Sequence, residues 1–522
     1  LKVLITTSGI GSRLGNLTKF TNKALVRVGR RPAISYIIDE YPKDAEFVVT
    51  LGHYGDHVRQ YLTIAHPDRN IRYAEVDVYE GEGSSLLHSI RCAKDALGGQ
   101  PFIFHACDTI VRYGSVPSVG CNWLGGHPSR GSSHYRTFNA SGGRVTRLNE
   151  KGEKTSDFDY IGICGISDVG RFWSLTDRIL SDGGCPSDYD PIVSMLSEGC
   201  AFESRTFGGW NDIGNIDSLK AARQSVEDSF DLLDKDDESI FMLDGKVIKF
   251  FHNKSICSNR VERARLLGDK VPRILASSDN FYAYEYTDGE ILSKTITPKQ
   301  IKSLLEWASE SLWIPVLDDG SYTRRCEEFY RTKTLERVAK FCKSNGLEDK
   351  AEVINGESVP PVTEMLQRID FSAIAAWSPR MFHGDFILEN ILGTKDGFVL
   401  LDWRQDFGGS VRFGDFHYDL AKLNHNLTLD HSSVHRNLYS SVQARDGVRC
   451  QIMVPSINMD CKAVLRNYCQ EQGIDYGKIE LLTAIVWLNM SPLHGHPLDK
   501  FLYHFGKYHL YRSLKELGWL TI

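Results

Sequence analysis

The 522-residue chain has no C-x-x-C pair among its twelve cysteines, which run from Cys92 to Cys469. At this length that excludes a zinc ribbon and a disulfide framework, and reduced core thiols are expected instead. No apolar run approaches the roughly 18 residues of a membrane-spanning helix. No long basic stretch occurs either: the formal net charge is −6 and clusters such as Arg27 to Arg31 are short. Neither a nucleic acid nor a membrane is therefore an expected partner. The opening residues LKVLITTSGIG read as a strand running into glycines, not as a basic segment followed by an apolar one, and the expected location is cytoplasmic. Internal repeats and low-complexity tails are absent.

What the chain does contain is alternation. LKVLITT, AEFVVTLG, IRYAEVD and PFIFHA are short, β-branched or aromatic, and bounded by turn residues. Between them AISYIIDEY, YGDHVRQYLTIA and SSLLHSIRCAKDAL carry apolar residues at helical spacing. Such alternation predicts a largely parallel sheet covered on both faces. Residues 223 to 238 then place seven carboxylates in sixteen positions, a candidate junction between domains. SIFMLDGKVIKFF follows, with Asp244-Gly245 predicting a tight hairpin. From Thr297, a candidate cap ahead of Pro298, the pattern is mostly helical.

Two stretches carry chemistry. SGIGSRLG follows the first strand, and Gly9, Gly11 and Gly15 allow a sharp turn that presents backbone N–H groups to an anion. A dinucleotide loop would need glycine where Leu14 stands and an acidic residue ending the second strand, where VVTLGH has none. A triphosphate better explains the permanent cations Arg13 and Lys23. Asp108 sits just past the strand PFIFHA, and Asp212 lies in the turn-rich GGWNDIGN. Two carboxylates beside a glycine-arginine loop suit Mg²⁺ held by few carboxylates and substrate phosphates.

Through G-x-G-S-R, the downstream lysine, the strand-end aspartate and W-x-D-I-G, residues 1 to about 220 resemble the sugar-phosphate and phospho-alcohol nucleotidylyltransferases. The resemblance implies that Gly9, Gly11 and Arg13 hold a nucleoside triphosphate. It also implies that Lys23, Asp108 and Asp212, with Mg²⁺, stabilise attack on the α-phosphorus. Lys151, in the Glu150-Lys151 segment, would contact the sugar or alcohol phosphate. Asn22 departs from the family's usual proline, and EGEGSSL at 80 to 86 matches no one base-reading segment. The short domain, without hexapeptide repeats, is similar to the phosphocholine cytidylyltransferases. CTP is thereby favoured, with the base left open.

The second stretch is HGDFILENIL at 383 to 392, followed by LLDW. Phosphoryl transfer from ATP needs a carboxylate near the acceptor hydroxyl and oxygen ligands for Mg²⁺. Asp385 and Asn390 are spaced as base and metal ligand on one loop, and Asp402 adds a second ligand at a strand end. With G-D-F-H-Y-D-L-A these motifs make residues 238 to 522 resemble the aminoglycoside phosphotransferase and choline kinase family. The resemblance makes Asp385 the catalytic base, Asn390 and Asp402 the Mg²⁺ ligands, and Asp415 and Asp419 braces of the loop. Lys249 in KVIKFF becomes the phosphate-contacting strand lysine and Glu262 its helix partner. EYTDG, beginning at Glu285, becomes the adenine-binding linker. No glycine-rich lid precedes the hairpin, so ATP against GTP stays open. Trp403 could stack on a ring or a quaternary ammonium, but Arg404 beside it disfavours a cationic acceptor. The histidines of HGHP, His494 and His496, are assigned to a loop.

The expected fold is α/β. A Rossmann-like nucleotidylyltransferase domain with a mixed sheet spans 1–225. A bilobal protein-kinase-like (α+β) phosphotransferase domain follows, with a small lobe at 226–296 and a helical lobe at 297–522. The expected enzyme is bifunctional. It phosphorylates an alcohol, polyol or sugar with ATP, then joins that phosphate to a nucleotidyl group from a second NTP, releasing pyrophosphate. The product would serve a surface polysaccharide or lipid headgroup. Three alternatives remain: a sugar 1-kinase joined to a UDP- or GDP-sugar pyrophosphorylase, two domains acting in unrelated steps, and a transferase with a non-catalytic pseudokinase scaffold. The oligomeric state is not legible in the sequence.

Overall fold

The computed structural model describes residues 1–112, 118–131, 134–152, 156–226, 236–375 and 378–520. It is mixed α/β and divides into two compact units. One comprises Leu1–Cys257 with Leu275–Glu285, the other Ser258–Ile274 with Tyr286–Ile522.

The first unit is built on a nine-stranded mixed sheet. Its four leading strands are parallel, in the order Asn70–Glu75, Glu46–Leu51, Lys2–Thr6, Phe102–Ala106. These are the four strands the alternating pattern predicts. The fifth, Phe158–Ile166, runs antiparallel to Phe102–Ala106 and starts the mixed half of the sheet. The crossover helix Gly55–Ala65 buries Val58, Tyr61, Leu62 and Ala65, which share one helix face at the i, i+3, i+4, i+7 spacing. Strand order reverses beside Lys2–Thr6, and Thr6 pairs with Ala106 at the carboxyl ends. Open α/β sheets bind ligands at such a switch point.

The hairpin forms as predicted: Glu238–Leu243 pairs with Lys246–Phe251, and Asp244 and Gly245 both take positive φ (49° and 70°), as a two-residue turn of this hand requires. Its place differs from the expected boundary at 225. Phe241, Ile248, Phe250 and Phe281 share one buried cluster with Tyr61, Leu62 and the first parallel strands. Gln60 accepts from the Asn280 backbone N–H (2.9 Å) and the Ser278 hydroxyl (2.9 Å). Burying each aromatic contributes about 1.5–3 kcal/mol, so these strands are tied to the first unit by packing. The sequence pattern does not carry that information, because a hairpin's own alternation says nothing of what covers its apolar face. Most of the acidic junction, 227–235, lies outside the described residues.

The second unit is mostly helical after Thr297, whose side chain caps Pro298–Trp307 by accepting from the Gln300 N–H (3.2 Å). It also contains a four-stranded sheet of Glu357–Val359, Glu352–Ile354, Gly447–Ile452 and Tyr439–Ala444, which the helical pattern hides. Helix Phe416–Thr428 is buried along its whole length. Among the described residues no helix is long and apolar enough to cross a membrane.

Candidate functional sites

The first site grows from the switch point. Past Thr6 the chain turns through Gly11, which has φ 71°. A Cβ there would lie 2.9 Å from Lys23 Cβ, so glycine is required for conformation and for packing. At Gly9 the surroundings are open to 4 Å and φ is not positive, so neither packing nor backbone conformation requires glycine there. Asn22, buried, donates to the Thr7 and His53 carbonyls (2.7 and 2.6 Å) and accepts from the Ala24 N–H (2.8 Å). It pins the loop next to Lys23. The departure from proline is thus a compact hydrogen-bonded clamp that the sequence did not reveal.

Lys23 Nζ stands 3.1 Å from Asp108 Oδ2, both half-buried. The strands Trp210–Asp212 and Thr109–Val111 pair antiparallel with Asp212 opposite Thr109, and the Ile213 N–H donates to the Asp108 carbonyl (2.9 Å). This ladder brings the two aspartates together across a hundred residues of sequence. A methyl placed on Gly214 would lie 3.1 Å from Asp212 Oδ1, 3.3 Å from Asp108 Oδ2 and 3.4 Å from Arg13 Nη2. Arg13, Asp108 and Asp212 therefore surround one point, and Gly214 keeps it clear. Burial by itself would raise the Asp108 carboxyl, but Lys23 and Arg13 outweigh it and hold it below the usual range. For Lys23 burial works against the charge, and Asp108 reverses that and raises the ammonium above its ordinary value. Tyr135 donates to Asp212 Oδ2 (3.1 Å), a contact with no signature in sequence. Lys151 lies exposed in the turn after Arg144–Asn149, with neighbouring Glu150 3.5 Å from Arg136 Nε.

The second site is a loop held by a helix. His383 and Gly384 donate their backbone N–H groups to the two oxygens of Asp419 (2.7 and 2.6 Å), which also accepts from Trp313 Nε1 (3.0 Å). Asp415, at the helix cap, holds His417 (2.6 Å) and Tyr330 (2.8 Å). One helical face continues the brace. Lys422, three residues past Asp419, pairs with Asp385 Oδ1 at 2.7 Å. Asn426, four further, accepts from the Leu388 N–H and donates to Glu389, both at 2.9 Å. Burial pushes the Asp419 carboxyl up to about 6 despite its three donors.

Asp385 is bracketed: Lys422 on Oδ1, and Asn390 Nδ2 on Oδ2 (2.9 Å). Burial raises its carboxyl, but Lys422 prevails and holds it below the ordinary value. His383 Nε2 donates to the Leu401 carbonyl (2.8 Å), leaving Nδ1 to accept from the Asp385 N–H (3.3 Å). Burial pushes this imidazole down to about 4, so it is a neutral spacer of the loop. Asp402 takes φ 58°, a strained conformation for a non-glycine residue, and pairs with Arg260 Nη1 at 2.8 Å. Sequence reasoning missed Lys422, Asn426 and Arg260. The first two were recoverable from their helical spacing to Asp419; Arg260 had no signal.

Trp403 requires correction as a stacking surface. It is fully buried and its indole N–H donates to the Arg260 carbonyl (2.7 Å), so it belongs to the core. Lys249 is buried on its strand in the first unit, whereas Glu262 is exposed on helix Lys254–Leu267 in the second. Glu285 ends the strand Phe281–Glu285, where the two units divide.

No family model matches the chain. The low-salt glycan biosynthesis nucleotidyltransferase of Haloferax volcanii is 28% identical over 239 residues, covering 43% of this chain and 66% of that protein. The amino-terminal region is nucleotidyltransferase-like. The chain spans just under two thirds of that relative's length. Among solved structures, a putative glucose-1-phosphate thymidylyltransferase from Bacillus anthracis is 20% identical with a TM-score of 0.38, covering 45% of this chain and 98% of that one. The CTP:phosphocholine cytidylyltransferase from Streptococcus pneumoniae is 16% identical with a TM-score of 0.36, covering 43% and 97%. At these TM-scores neither structure bears on substrate or mechanism.

Proposed function

We propose that the chain is a bifunctional enzyme that phosphorylates a small hydroxyl metabolite and then attaches a nucleotidyl group to the new phosphate. The observation that carries the second step is the convergence of Arg13, Asp108 and Asp212 on one point beside the glycine loop, with Lys23 paired to Asp108. In that step a phosphate-ester oxygen attacks the α-phosphorus, the bond from the α-phosphorus to its bridging oxygen breaks, and pyrophosphate leaves. Arg13 and Lys23 are placed to neutralise the charge that develops on the phosphates. The similarity to a glycan-biosynthesis nucleotidyltransferase supports a sugar or polyol phosphate as acceptor. CTP is the favoured nucleotide.

The first step falls to the second unit. The acceptor hydroxyl oxygen attacks the γ-phosphorus of ATP, the bond to the β–γ bridging oxygen breaks, ADP leaves, and the hydroxyl proton passes to Asp385. A carboxylate held below its usual range is a weak base. That suits a loose phosphoryl-transfer transition state, in which positioning and charge stabilisation contribute more than early proton removal. Asn390 and Asp402 in this unit, and Asp108 and Asp212 in the other, are oxygen donors of the kind that hold Mg²⁺. The ion, when bound, neutralises phosphate charge. Lys151, in the first unit, would contact the acceptor phosphate.

A second reading is favoured by one contact. Arg260 occupies Asp402, so the second unit could bind nucleotide without transferring phosphate. The experiment that decides is to purify the phosphate ester made by the wild-type protein from ATP and an acceptor. That ester is offered, without ATP, to the Asp385→Asn protein with each of CTP, UTP, GTP, dTTP and ATP. Pyrophosphate release with one of them is expected. Failure with all five would overturn the coupled reading, and absence of any ester from the wild type would favour the non-catalytic one.

A further inference from the structure

Beside the loop that carries Asp385 the second unit gathers three further cations, Lys333, Arg337 and Arg404. Lys333 Nζ lies 4.0 Å and Arg404 Cζ 5.0 Å from the centroid of one ring, that of buried Phe329. Arg404 is fixed to the catalytic loop, since its N–H donates to the His383 carbonyl (3.0 Å) and its Nε to the Asp406 carbonyl (3.0 Å). Neither contact uses its terminal nitrogens. Arg337 is one turn beyond Lys333 on helix Lys333–Asn345, on the same face. Lys422 is consumed by Asp385, and the nearby Asp402 by Arg260. Among the described residues no carboxylate oxygen stands within 4.0 Å of Lys333, Arg337 or Arg404.

Like charges gathered beside buried aromatic surface repel, and the arrangement is costly unless an anion completes it. The strain registers on the groups themselves. Burial, then Arg404, Arg337 and Lys422, push the Lys333 ammonium well below its ordinary value, with Asp406 opposing, and burial with Arg404 lowers Arg337 against the pull of Glu336. Choline-type acceptors would meet this field with the wrong sign, and a neutral polyol would leave it unbalanced.

We propose that the hydroxyl acceptor of the second unit carries an anionic group, a carboxylate or a phosphate, which Lys333, Arg337 and Arg404 bind while its hydroxyl faces Asp385. This assignment rests on the reading of that unit as a kinase. A planar guanidinium whose two terminal nitrogens have no hydrogen-bond partner among the described residues matches either oxyanion, and Lys333 adds a point charge. The anion is untouched by the transfer: only the hydroxyl oxygen forms the new bond to phosphorus, ADP departs, and the proton leaves through Asp385.

The test measures ADP release by the full chain with choline, glycerol, ribitol, D-glycerate and glycerol 3-phosphate. An anionic member should exceed glycerol in kcat/KM by about a hundredfold, the order expected for two charge-assisted contacts. D-glycerate against glycerol 3-phosphate separates carboxylate from phosphate recognition. Lys333→Met and Arg404→Gln, both checked for folding by circular dichroism, should each raise the KM of the anionic acceptor about tenfold or more while shifting the KM for ATP far less. Preference for glycerol or choline would overturn the anionic assignment and leave the kinase reading standing. A raised KM for ATP in place of the acceptor would also overturn it, because the cations would then belong to the nucleotide. ADP release with no member of the panel would sink both readings.

Discussion

The two sites hold their carboxylates by opposite means. In the first, Arg13, Lys23, Asp108 and Asp212 come from distant segments, and the sheet delivers them. Thr6 and Ala106 end adjacent parallel strands, and the Asp212–Thr109 pairing closes the set. In the second, the residues proposed to react lie within one short stretch from His383 to Asp402, and a single buried helix holds its first part through Asp419, Lys422 and Asn426. Charge is balanced differently too. Asp108 has a lysine at 3.1 Å and an arginine beside it, and both act on substrate phosphate in the proposed chemistry. Asp385 has Lys422, a member of its own brace. A site assembled by topology depends on the whole sheet, whereas one assembled by a loop depends on what grips the loop.

Four substitutions or conditions sharpen this contrast. The largest effect is expected at Asp385. Asp385→Asn should cut ATP-dependent phosphorylation by about 10²–10⁴, the range for losing a positioned general base, with pyrophosphate release from a supplied phosphate ester unaltered. A coupled ADP assay beside a pyrophosphate assay measures both. Next is Arg13→Ala, where loss of a charge placed on the transferring phosphate should cost about 10²–10³ in nucleotidyl transfer. Because Arg13 is exposed, the melting temperature should barely move. Near-normal turnover would reduce the glycine loop to a turn.

A smaller effect tests the brace. Asn426→Ala strands the Leu388 N–H and frees Glu389, so urea unfolding should report about 1–3 kcal/mol of lost stability. Phosphorylation should fall with it, and nucleotidyl transfer should not. The smallest is a pH dependence. The folded Asp108 carboxyl is depressed, so its contribution to stability is present above its unfolded value and lost as pH falls through the folded one. Lys23 is raised, so its contribution is complete below its unfolded value and lost only as pH climbs through the folded one. The stability difference between wild type and Asp108→Asn should therefore be flat from about pH 5 to pH 9 and shrink below about pH 4. A step near neutrality would contradict the pairing.

Where the sequence was legible, the reason is local. The parallel strands, the crossover helices, the Asp244-Gly245 turn and the Thr297 cap each follow from a few adjacent residues, and each is present. Asp385 and Asn390, a short interval apart, hydrogen-bond within one loop, whereas Asp402 pairs with Arg260. Partners at long range were not legible. Gly214 reads as the end of a turn until its Cβ is seen to fall among Arg13, Asp108 and Asp212. Trp403 read as a ligand surface because tryptophan beside aspartate suggests a pocket, yet packing buries it and Arg260 takes its N–H. The hairpin strands were assigned forward along the chain, while the aromatic cluster around Tyr61 and Phe281 draws them back.

Two half-reactions, measured separately on two folded variants, test the account most directly. ADP release with ATP and acceptor, and pyrophosphate release with NTP and a phosphate ester, are followed for Asp385→Asn and for Asp212→Ala. Each carboxylate serves one motif set, so Asp385→Asn should lose only the first activity and Asp212→Ala only the second. Loss of both activities in either variant, with its circular dichroism unchanged, would contradict two separate sites in this chain.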